Sequence, residues 1–439
     1  MKLWTALLGG DRPDLATLTA ALRLPWMERF AETPQDPEWH AEGDVAVHTA
    51  MVLDALYAHL PSDLPAETQA LYILGAALHD IGKPVTTRTE VVRDHLRVVA
   101  RHHEAIGRSY LANRLLTELP FPALWRLMGL VGSHHEPKFL VIKDRPTGDW
   151  RRVSRRADMA GLAAVELADM RGRRCPDRAE QVAHIEWFAA LSEEQAAPGW
   201  LAEWTDRVRA LCASRPPAVA ELMLGETLSA HHAGRIQDPL AHQHLAHSLP
   251  DAPAELVLLV GPSGSGKSSF IERHLEGPGS HIVSLDALRE ALGAHRGDQS
   301  ASGQARQAAR EQLRVGLRAG KRVVWDATNT REELRAPLIS LGRDYGALVT
   351  LVLLLVPEAE LSRRNRGRPH PVPERVLQDQ LHAFQVPEVD EAHRLIVVDG
   401  KGRVLGCSGF QGGPTAERLP WGLQWGPDGP FELDRAATG

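Results

Sequence analysis

Two textures of apolar spacing divide this chain. From residue 44 to about 212, apolar residues recur at intervals of three and four and β-branched runs are scarce, a pattern that predicts packed amphipathic helices. The stretch DVAVHTAMVLDALYAHL (44–60) is representative, with Val45, His48, Val52, Ala55 and Leu56 on one helical face. From Glu255 the spacing changes. Short runs rich in Val, Leu and Ile (ELVLLV, HIVSL, KRVVW, ALVTLVLLLV and RLIVV) alternate with helical stretches, as in a parallel α/β sheet buried on both faces. Between these regions proline and glycine punctuate residues 195–254, which read as a helical connector or an extension of either neighbour. Beyond Gly400 the chain is rich in glycine and proline and either straps across a core or frays. The expected organisation is multidomain: an all-α bundle over 1–194, the connector 195–254, a parallel-sheet α/β domain over 255–400, and a tail 401–439.

Composition adds little to this picture. The 439 residues, 43% hydrophobic and 24% charged, are ordinary for globular domains and allow at least two cores. A formal charge of −6 gives no global attraction to nucleic acid or membrane, so an anionic partner needs local basic patches. Three scattered cysteines, Cys175, Cys212 and Cys407, form no CxxC and exclude a cysteine-ligated zinc site or a disulfide framework. The opening MKLWTALLGGDRPD has too short an apolar core for a signal peptide, and the longest apolar run (347–356) is half a membrane span. A soluble cytoplasmic protein without a membrane partner is expected.

The most specific local signal is GPSGSGKS (261–268), which fits G-x-x-x-x-G-K-[ST] and sits between a predicted strand and the helical SFIERHL. Backbone N–H groups around Gly261, Ser263, Gly264, Ser265, Gly266, Ser268 and Ser269 would cradle the phosphates of ATP at a helix N-terminus. Lys267 would reach the β- and γ-phosphates and Ser268 would hold Mg²⁺. Acceptor chemistry is expected at the carboxyl ends of the later strands. SLDALRE places Asp286 and Arg289 there, a carboxylate able to accept a hydroxyl proton beside a cation for an anionic substrate; a helix cap is the plainer role for Asp286. VVWDATNTR adds Asp326 at a Walker-B position, and Asn329. LSRRNRGRPHPVP carries four arginines in 363–368, where a lid would clamp phosphates.

In the helical half, polar residues occupy positions where periodicity predicts apolar ones. His48, His103, His134 and Asp169 each share a face with apolar neighbours, and HDIGKP (79–84) ends an apolar helix on His79 and Asp80. Burying these singly would cost several kcal/mol. A shared divalent metal (Mn, Fe, Co, Ni or Zn) is the simplest common partner. His102 and His135 stand one residue from two of these positions, Asp158 competes with Asp169, and His40 either touches substrate or caps. Arg151, Arg152, Arg155, Arg156, Arg171, Arg173 and Arg174 form a basic run suited to a polyphosphate backbone or to a solvated face. Trp39 and Trp150 flank candidate residues and either stack bases or pack in a core.

Taken in order, GxxxxGKS, D-x-x-R, D-x-T-N and R-N-x-x-R over residues 255–400 resemble the polynucleotide kinase branch of the P-loop kinases. That resemblance implies Asp286 as general base for a 5′-hydroxyl, Arg289, Asp326 and Asn329 on the acceptor side, and Arg364 and Arg368 as lid arginines. The set H…HD…H…H…D with HDIGKP and HAEGDVAVHT (40–49), over residues 35–175, resembles the HD-superfamily metal-dependent phosphohydrolases. It implies His48, His79, Asp80 and Asp169 as ligands of a first metal, Asp80 bridging to a second held by His103 and His134, and Lys83 neutralising phosphate oxygens. Domain order, motif order and length together resemble the bacterial HD-Pnk family of fused RNA end-healing enzymes. That resemblance implies a 5′-hydroxyl kinase and a Mn²⁺-, Co²⁺- or Ni²⁺-dependent 2′,3′-phosphatase and cyclic phosphodiesterase, acting on RNA ends ahead of a separate ATP-dependent RNA ligase. The alternative is an HD nucleotidase fused to a small-molecule kinase.

Overall fold

A computed structural model describes residues 2–292, 302–368, 371–410 and 419–435. Parts of the tail (411–418 and 436–439), and Pro369 and His370 of the arginine-rich run, lie outside the described residues. The chain separates into two compact units, one running to Pro198 and including Asp434, the other spanning Gly199–Leu433.

In the first unit, α1 (Lys2–Leu8) and α2 (Leu15–Leu22) precede α3 (Val45–His59) and α4 (Ala66–Leu78). The Asp44 carboxylate starts α3 by accepting the Val47 N–H at 2.9 Å. Every residue of α4 from Ala70 to Leu78 is buried, against α1, α3, α7 (Phe121–Ser133) and α10 (Met159–Gly172). A helix apolar on all sides must be central. Here it delivers His79 and Asp80 into the middle of the bundle. The remaining elements are the single turn α5 (Lys83–Thr86), strands β1 (Thr87–Val92) and β2 (His95–Ala100), α6 (His103–Arg114), α8 (Glu136–Ile142), α9 (Thr147–Arg156) and α11 (Arg178–Gln195).

The antiparallel β1–β2 hairpin corrects the expectation that residues 44–212 are wholly helical. Thr, Val and Ile-like β-branching at Thr87, Thr89, Val91, Val92, Val98 and Val99 favours strands, and Arg93 and Asp94 turn the chain with φ of 49° and 65°. Without an Asn-Gly or Asp-Gly pair the turn is not conspicuous.

In the second unit, α12 (Trp200–Leu211), α13 (Pro217–His232) and α14 (Leu245–Ser248) enclose a small core of Trp200, Trp204, Val208, Met223 and Leu224. The sheet follows: β3 (Glu255–Val260), α15 (Lys267–Phe270), β4 (Ser280–Ser284), α16 (Leu285–Ala291), α17 (Ser302–Arg318), β5 (Arg322–Asp326), α18 (Glu332–Asp344), β6 (Leu348–Leu354), α19 (Glu358–Arg366), α20 (Glu374–His382), β7 (Arg394–Val398) and β8 (Val404–Ser408). Strand order is β4-β5-β3-β6-β7-β8, with the first five parallel and β8 antiparallel. All five expected runs form strands. The chain passes from β5 on one side of β3 to β6 on the other, opening a crevice at the carboxyl ends where the GPSGSGKS loop lies.

The helices of 199–254 pack on this sheet. The His393 ring pairs with Glu226 at 2.7 Å, and Arg343 donates to Ser229 at 2.6 Å. A Cβ on Gly225 would come within 3.0 Å of the His393 backbone, so α13 sits close only because glycine is there. The sheet also runs past residue 400, since β8 pairs with β7. VLGCS is too short and too mixed to announce itself as a strand.

Candidate functional site

The buried end of α4 is the hub of the helical unit. Asp80 Oδ1 lies 3.1 Å from His103 Nε2, while Asp80 Oδ2 lies 3.2 Å from His79 Nε2 and 3.8 Å from His48 Nε2. His48 Nε2 also faces Asp169 Oδ1 at 3.0 Å, and His103 Nε2 faces His134 Nε2 at 3.3 Å. The six predicted ligands are therefore brought together, all of them buried. Three of the imidazoles share one device. The Nδ1 of His79, His103 and His134 donates to the carbonyl three residues back, of Ala76, Ala100 and Val131, at 2.8, 2.7 and 2.8 Å. With the proton held on Nδ1, each Nε2 turns a lone pair inward. Lone pairs aimed at each other and at carboxylate oxygens repel unless a cation lies between them.

Alternatives left open by sequence separate here. Asp158 is the N-cap of α10, accepting the Ala160 N–H at 3.1 Å and the Tyr72 hydroxyl at 2.9 Å, whereas Asp169 faces His48. His102 stands at the start of α6 with φ of 59° and is exposed, while His103 is buried. His135 is exposed but keeps a ring nitrogen within 4.8 Å of those of His103 and His134. His40 pairs with Glu42 at 2.9 Å, and Glu42 also faces His48 Nδ1 at 2.8 Å. Burial pushes the His40 pKa down to about 4, so it is neutral.

Cations already attend the carboxylates. Lys83, expected on phosphate oxygens, instead spans Asp80 Oδ2 (2.7 Å) and Gln35 (2.5 Å). Arg173 holds both oxygens of Asp169 at 2.9 and 2.7 Å. Burial opposes ionisation of Asp80, yet His79 and Lys83 hold its pKa well below the carboxylate range; Arg173 and His48 do the same for Asp169. Burial above all holds His134 far below its usual value, in the neutral form a ligand needs. The basic run is mostly committed elsewhere: Arg152 pairs with Asp149 (2.8 Å), Arg155 with Asp434 (3.2 Å) and Arg171 with Glu186 (3.4 Å). Trp150 is core, stacked on Phe188 at 5.4 Å, whereas Trp39 is exposed beneath Arg97.

The second unit holds a cleft of about 1050 Å³ above the sheet. Its floor is the GPSGSGKS loop, where Gly264 and Gly266 take φ of 86° and 101°, open to glycine at little cost. Lys267 is parked on the Gly261 and Pro262 carbonyls at 2.8 and 3.0 Å. Desolvation draws its pKa down to about 8, against the pull of Asp326. Ser263, Gly264, Gly266, Ser268 and Ser269 line the cleft. Among the loop residues, Ser265 is fully buried. Arg364 leans over the loop from α19, donating to the Gly400 carbonyl at 3.0 Å and pairing with Glu360, and Arg368 lines the same wall. Asp286 and Arg289 face each other one turn apart on α16, and Asp326 closes the end of β5.

Asn329 lines the cleft but is only 3% exposed; its amide donates to the Leu259 carbonyl at 2.7 Å and so fastens the loop after β5 to β3. The buried Arg335 completes that brace, gripping both oxygens of Glu391 at 2.8 Å and the carbonyls of Asn329 and Gln385 at 3.0 Å.

Residues 45–191 match the HD domain family and residues 256–387 match an AAA domain family. The chain is an HD domain joined to a P-loop, kinase-like AAA domain. Curated relatives include the Multifunctional CCA proteins of Vibrio parahaemolyticus serotype O3:K6 (strain RIMD 2210633), 36% identical over 93 residues, which is 20% of this chain and 21% of the relative. That of Acidovorax sp. (strain JS42) is 41% identical over 76 residues, 17% of this chain and 16% of the relative. The chain thus spans about a fifth of the length of these relatives. Among solved structures, a gluconokinase from Sinorhizobium meliloti 1021 is 26% identical over 34% of this chain and 83% of its own, at a TM-score of 0.25.

The HD domain's donor set fits divalent metal ions on its own chemistry: imidazole lone pairs and a carboxylate with both oxygens engaged converge, and His48 Nε2 and His79 Nε2 find no hydrogen bond. Sequence reasoning missed Glu42 and Glu166, and gave Arg173 only as one of a basic run rather than as the partner of Asp169. Glu166, one turn before Asp169, is wholly buried with neither oxygen hydrogen-bonded, and burial raises its pKa to about 7. In the AAA domain it missed Arg306 and Arg310, which line the cleft from α17. Their signal was AR-x-x-AR, the alternation of a buried alanine with a flanking arginine at each turn.

Proposed function

We propose that the protein heals broken RNA ends as a member of the HD-Pnk family, working in the cytoplasm ahead of a separate ATP-dependent RNA ligase. RNA cleavage that leaves a 2′,3′-cyclic phosphate and a 5′-hydroxyl creates two defects, and this chain carries one phosphate-removing and one phosphate-adding domain. The observation that carries the reading is the convergence of His48, His79, Asp80, His103, His134 and Asp169 in the same chain as a cleft containing Lys267 and Asp286.

In the HD domain, His48, His79, Asp80 and Asp169 would hold one ion and Asp80, His103 and His134 a second. Bound divalent metals such as Mn²⁺, Co²⁺ or Ni²⁺ supply Lewis acidity for the phosphate and acidify water near neutral pH. The chain's own part is orientation: the Ala76, Ala100 and Val131 carbonyls fix three rings, Glu42 backs His48, and Lys83 and Arg173 steady Asp80 and Asp169.

In the AAA domain, residues Gly261–Ser269 would hold the phosphates of ATP, and Ser268 would hold its Mg²⁺. Lys267 leaves its loop carbonyls for the phosphates, and Arg364 and Arg368 close from the opposite wall. Asp286 takes the proton of the 5′-hydroxyl while Arg289 holds the adjoining phosphate.

One preparation assayed metal by metal on 2′,3′-cyclic-phosphate RNA, and with labelled ATP on 5′-hydroxyl RNA, tests the reading. Both activities are expected. Phosphorylation of a free nucleoside but no oligonucleotide would establish instead a nucleotidase fused to a small-molecule kinase.

A further inference from the structure

Six cationic side chains line the cleft of the AAA domain, together with the carboxylates of Asp286, Asp326 and Glu333. Lys267, Arg364 and Arg368 stand on the loop and lid side, and Arg289 stands beside Asp286. A further pair, Arg306 and Arg310, lines the cleft from α17, the helix packed against α16, β4 and β5. The buried face of α17 is Ala305, Ala309, Leu313 and Leu317, so Arg306 and Arg310 follow two of those alanines and stand on the adjoining flank, exposed. Spaced i, i+4, their Cβ atoms are about 5–6 Å apart, neighbours on the helix surface.

Among the described residues their lack of ion-pair partners sets them apart. The next arginines along the same helix lean on Glu311, Arg314 at 3.3 Å and Arg318 at 3.7 Å. Elsewhere in the unit Arg322 pairs with Glu255, Arg335 with Glu391 and Arg343 with Glu226. Arg306 and Arg310 have no carboxylate partner among the described residues. Two adjacent like charges lining a cavity, with no carboxylate paired to them among the described residues, mark a place for an anion. The donor's phosphates are accounted for on the loop and lid side. The arginine pair belongs to a helix beside the one that carries Asp286, on the acceptor side.

We propose that Arg306 and Arg310 together hold a backbone phosphate of a polynucleotide acceptor, one internucleotide step beyond the phosphate held by Arg289. The kinase therefore prefers chains with at least two phosphodiesters. This rests on the polynucleotide reading of the cleft and specifies how that acceptor is gripped.

The test uses the full chain, ATP and 5′-hydroxyl RNAs ending in 3′-hydroxyls: a dinucleotide with one phosphodiester, a trinucleotide with two, and a hexanucleotide. In the wild type, KM falls about tenfold from dinucleotide to trinucleotide, the size of one charge-assisted contact. Arg306→Ala combined with Arg310→Ala erases that step, so that the trinucleotide KM rises to the dinucleotide value while KM for ATP moves less than about twofold. The slope of log KM against log salt for the hexanucleotide falls by about 0.7, one phosphate contact on a single strand. Arg306→Lys combined with Arg310→Lys restores much of the length effect and controls for folding. Equal rises in KM for both short acceptors, or a rise confined to ATP, would overturn the assignment. If oligonucleotides are phosphorylated with no dependence on length, only this inference falls. If nucleosides are accepted and no oligonucleotide is, the RNA reading falls with it.

Discussion

At the scale of single residues, what decides each site is where a proton or charge is held. Glu42 is the clearest case. Its carboxylate touches both His40 and His48, and although burial opposes its ionisation these contacts keep its pKa well below normal. Glu42→Gln preserves the shape but removes the charge behind His48, and should weaken metal binding about 10–100-fold in a competition titration with a metal-sensitive dye. Lys267 gives a second prediction. With a pKa near 8 in the free cleft, it is charged below that pH and neutral above it. As pH rises through 8, kcat/KM for ATP should therefore fall, whereas kcat at saturating ATP should fall only at higher pH, because bound phosphates hold the proton on the lysine. Coincident profiles for the two parameters would mean that another group titrates. The metal ligands were legible because a histidine or aspartate on an apolar helix face is anomalous. Glu42 and Glu166 were not, because their meaning lies in their surroundings in the fold, and Arg173 was legible as a basic residue but not as the partner of Asp169.

At the scale of elements, the close approach of α6 to the end of α4 matters most. A Cβ at Gly82 would sit 2.1 Å from the His103 carbonyl, a backbone atom that can yield only by moving α6. The glycine of HDIGKP thus allows His103 to come within reach of Asp80. Gly82→Ala should push them apart, reducing phosphohydrolase activity at least about tenfold and destabilising the HD domain by about 1–3 kcal/mol, read from thermal unfolding with and without metal. The same element-level view explains the sheet. Its five parallel strands were legible as continuous apolar runs, since both faces are covered. β8 and the β1–β2 hairpin were not: one is a short edge strand containing glycine, and the other is a half-exposed ribbon with Val91 and Leu96 facing outward, so neither has a clean period. Arg335 braces the crevice from beneath. Replacing it with alanine leaves Glu391 without its partner and two carbonyls without a donor, and should cost about 3–5 kcal/mol in the transition that ATP stabilises.

At the scale of the whole molecule, the two candidate sites lie in separate compact units, each with buried residues of its own. The histidine–aspartate cluster draws its donors from α3, the end of α4, α6, the end of α7 and α10, all in the HD domain. The cleft draws its loop, Asp286 and arginines from the stretch between β3 and Arg368, all in the AAA domain. Among the described residues each donor set comes from a single unit, so damage to one should leave the other intact. His79→Ala removes a lone pair from the metal cluster and should abolish phosphohydrolase activity while leaving kcat/KM for 5′-hydroxyl phosphorylation within about twofold of wild type. Asp286→Ala removes the proton acceptor and should lower kinase kcat about 10²–10⁴-fold while phosphohydrolase activity persists. Measuring both activities on both variants gives four numbers, and the division of labour requires that two collapse and two survive. Loss of both activities in either variant would mean that the chemistry is shared between units, and the assignment of each residue set to one reaction would have to be abandoned.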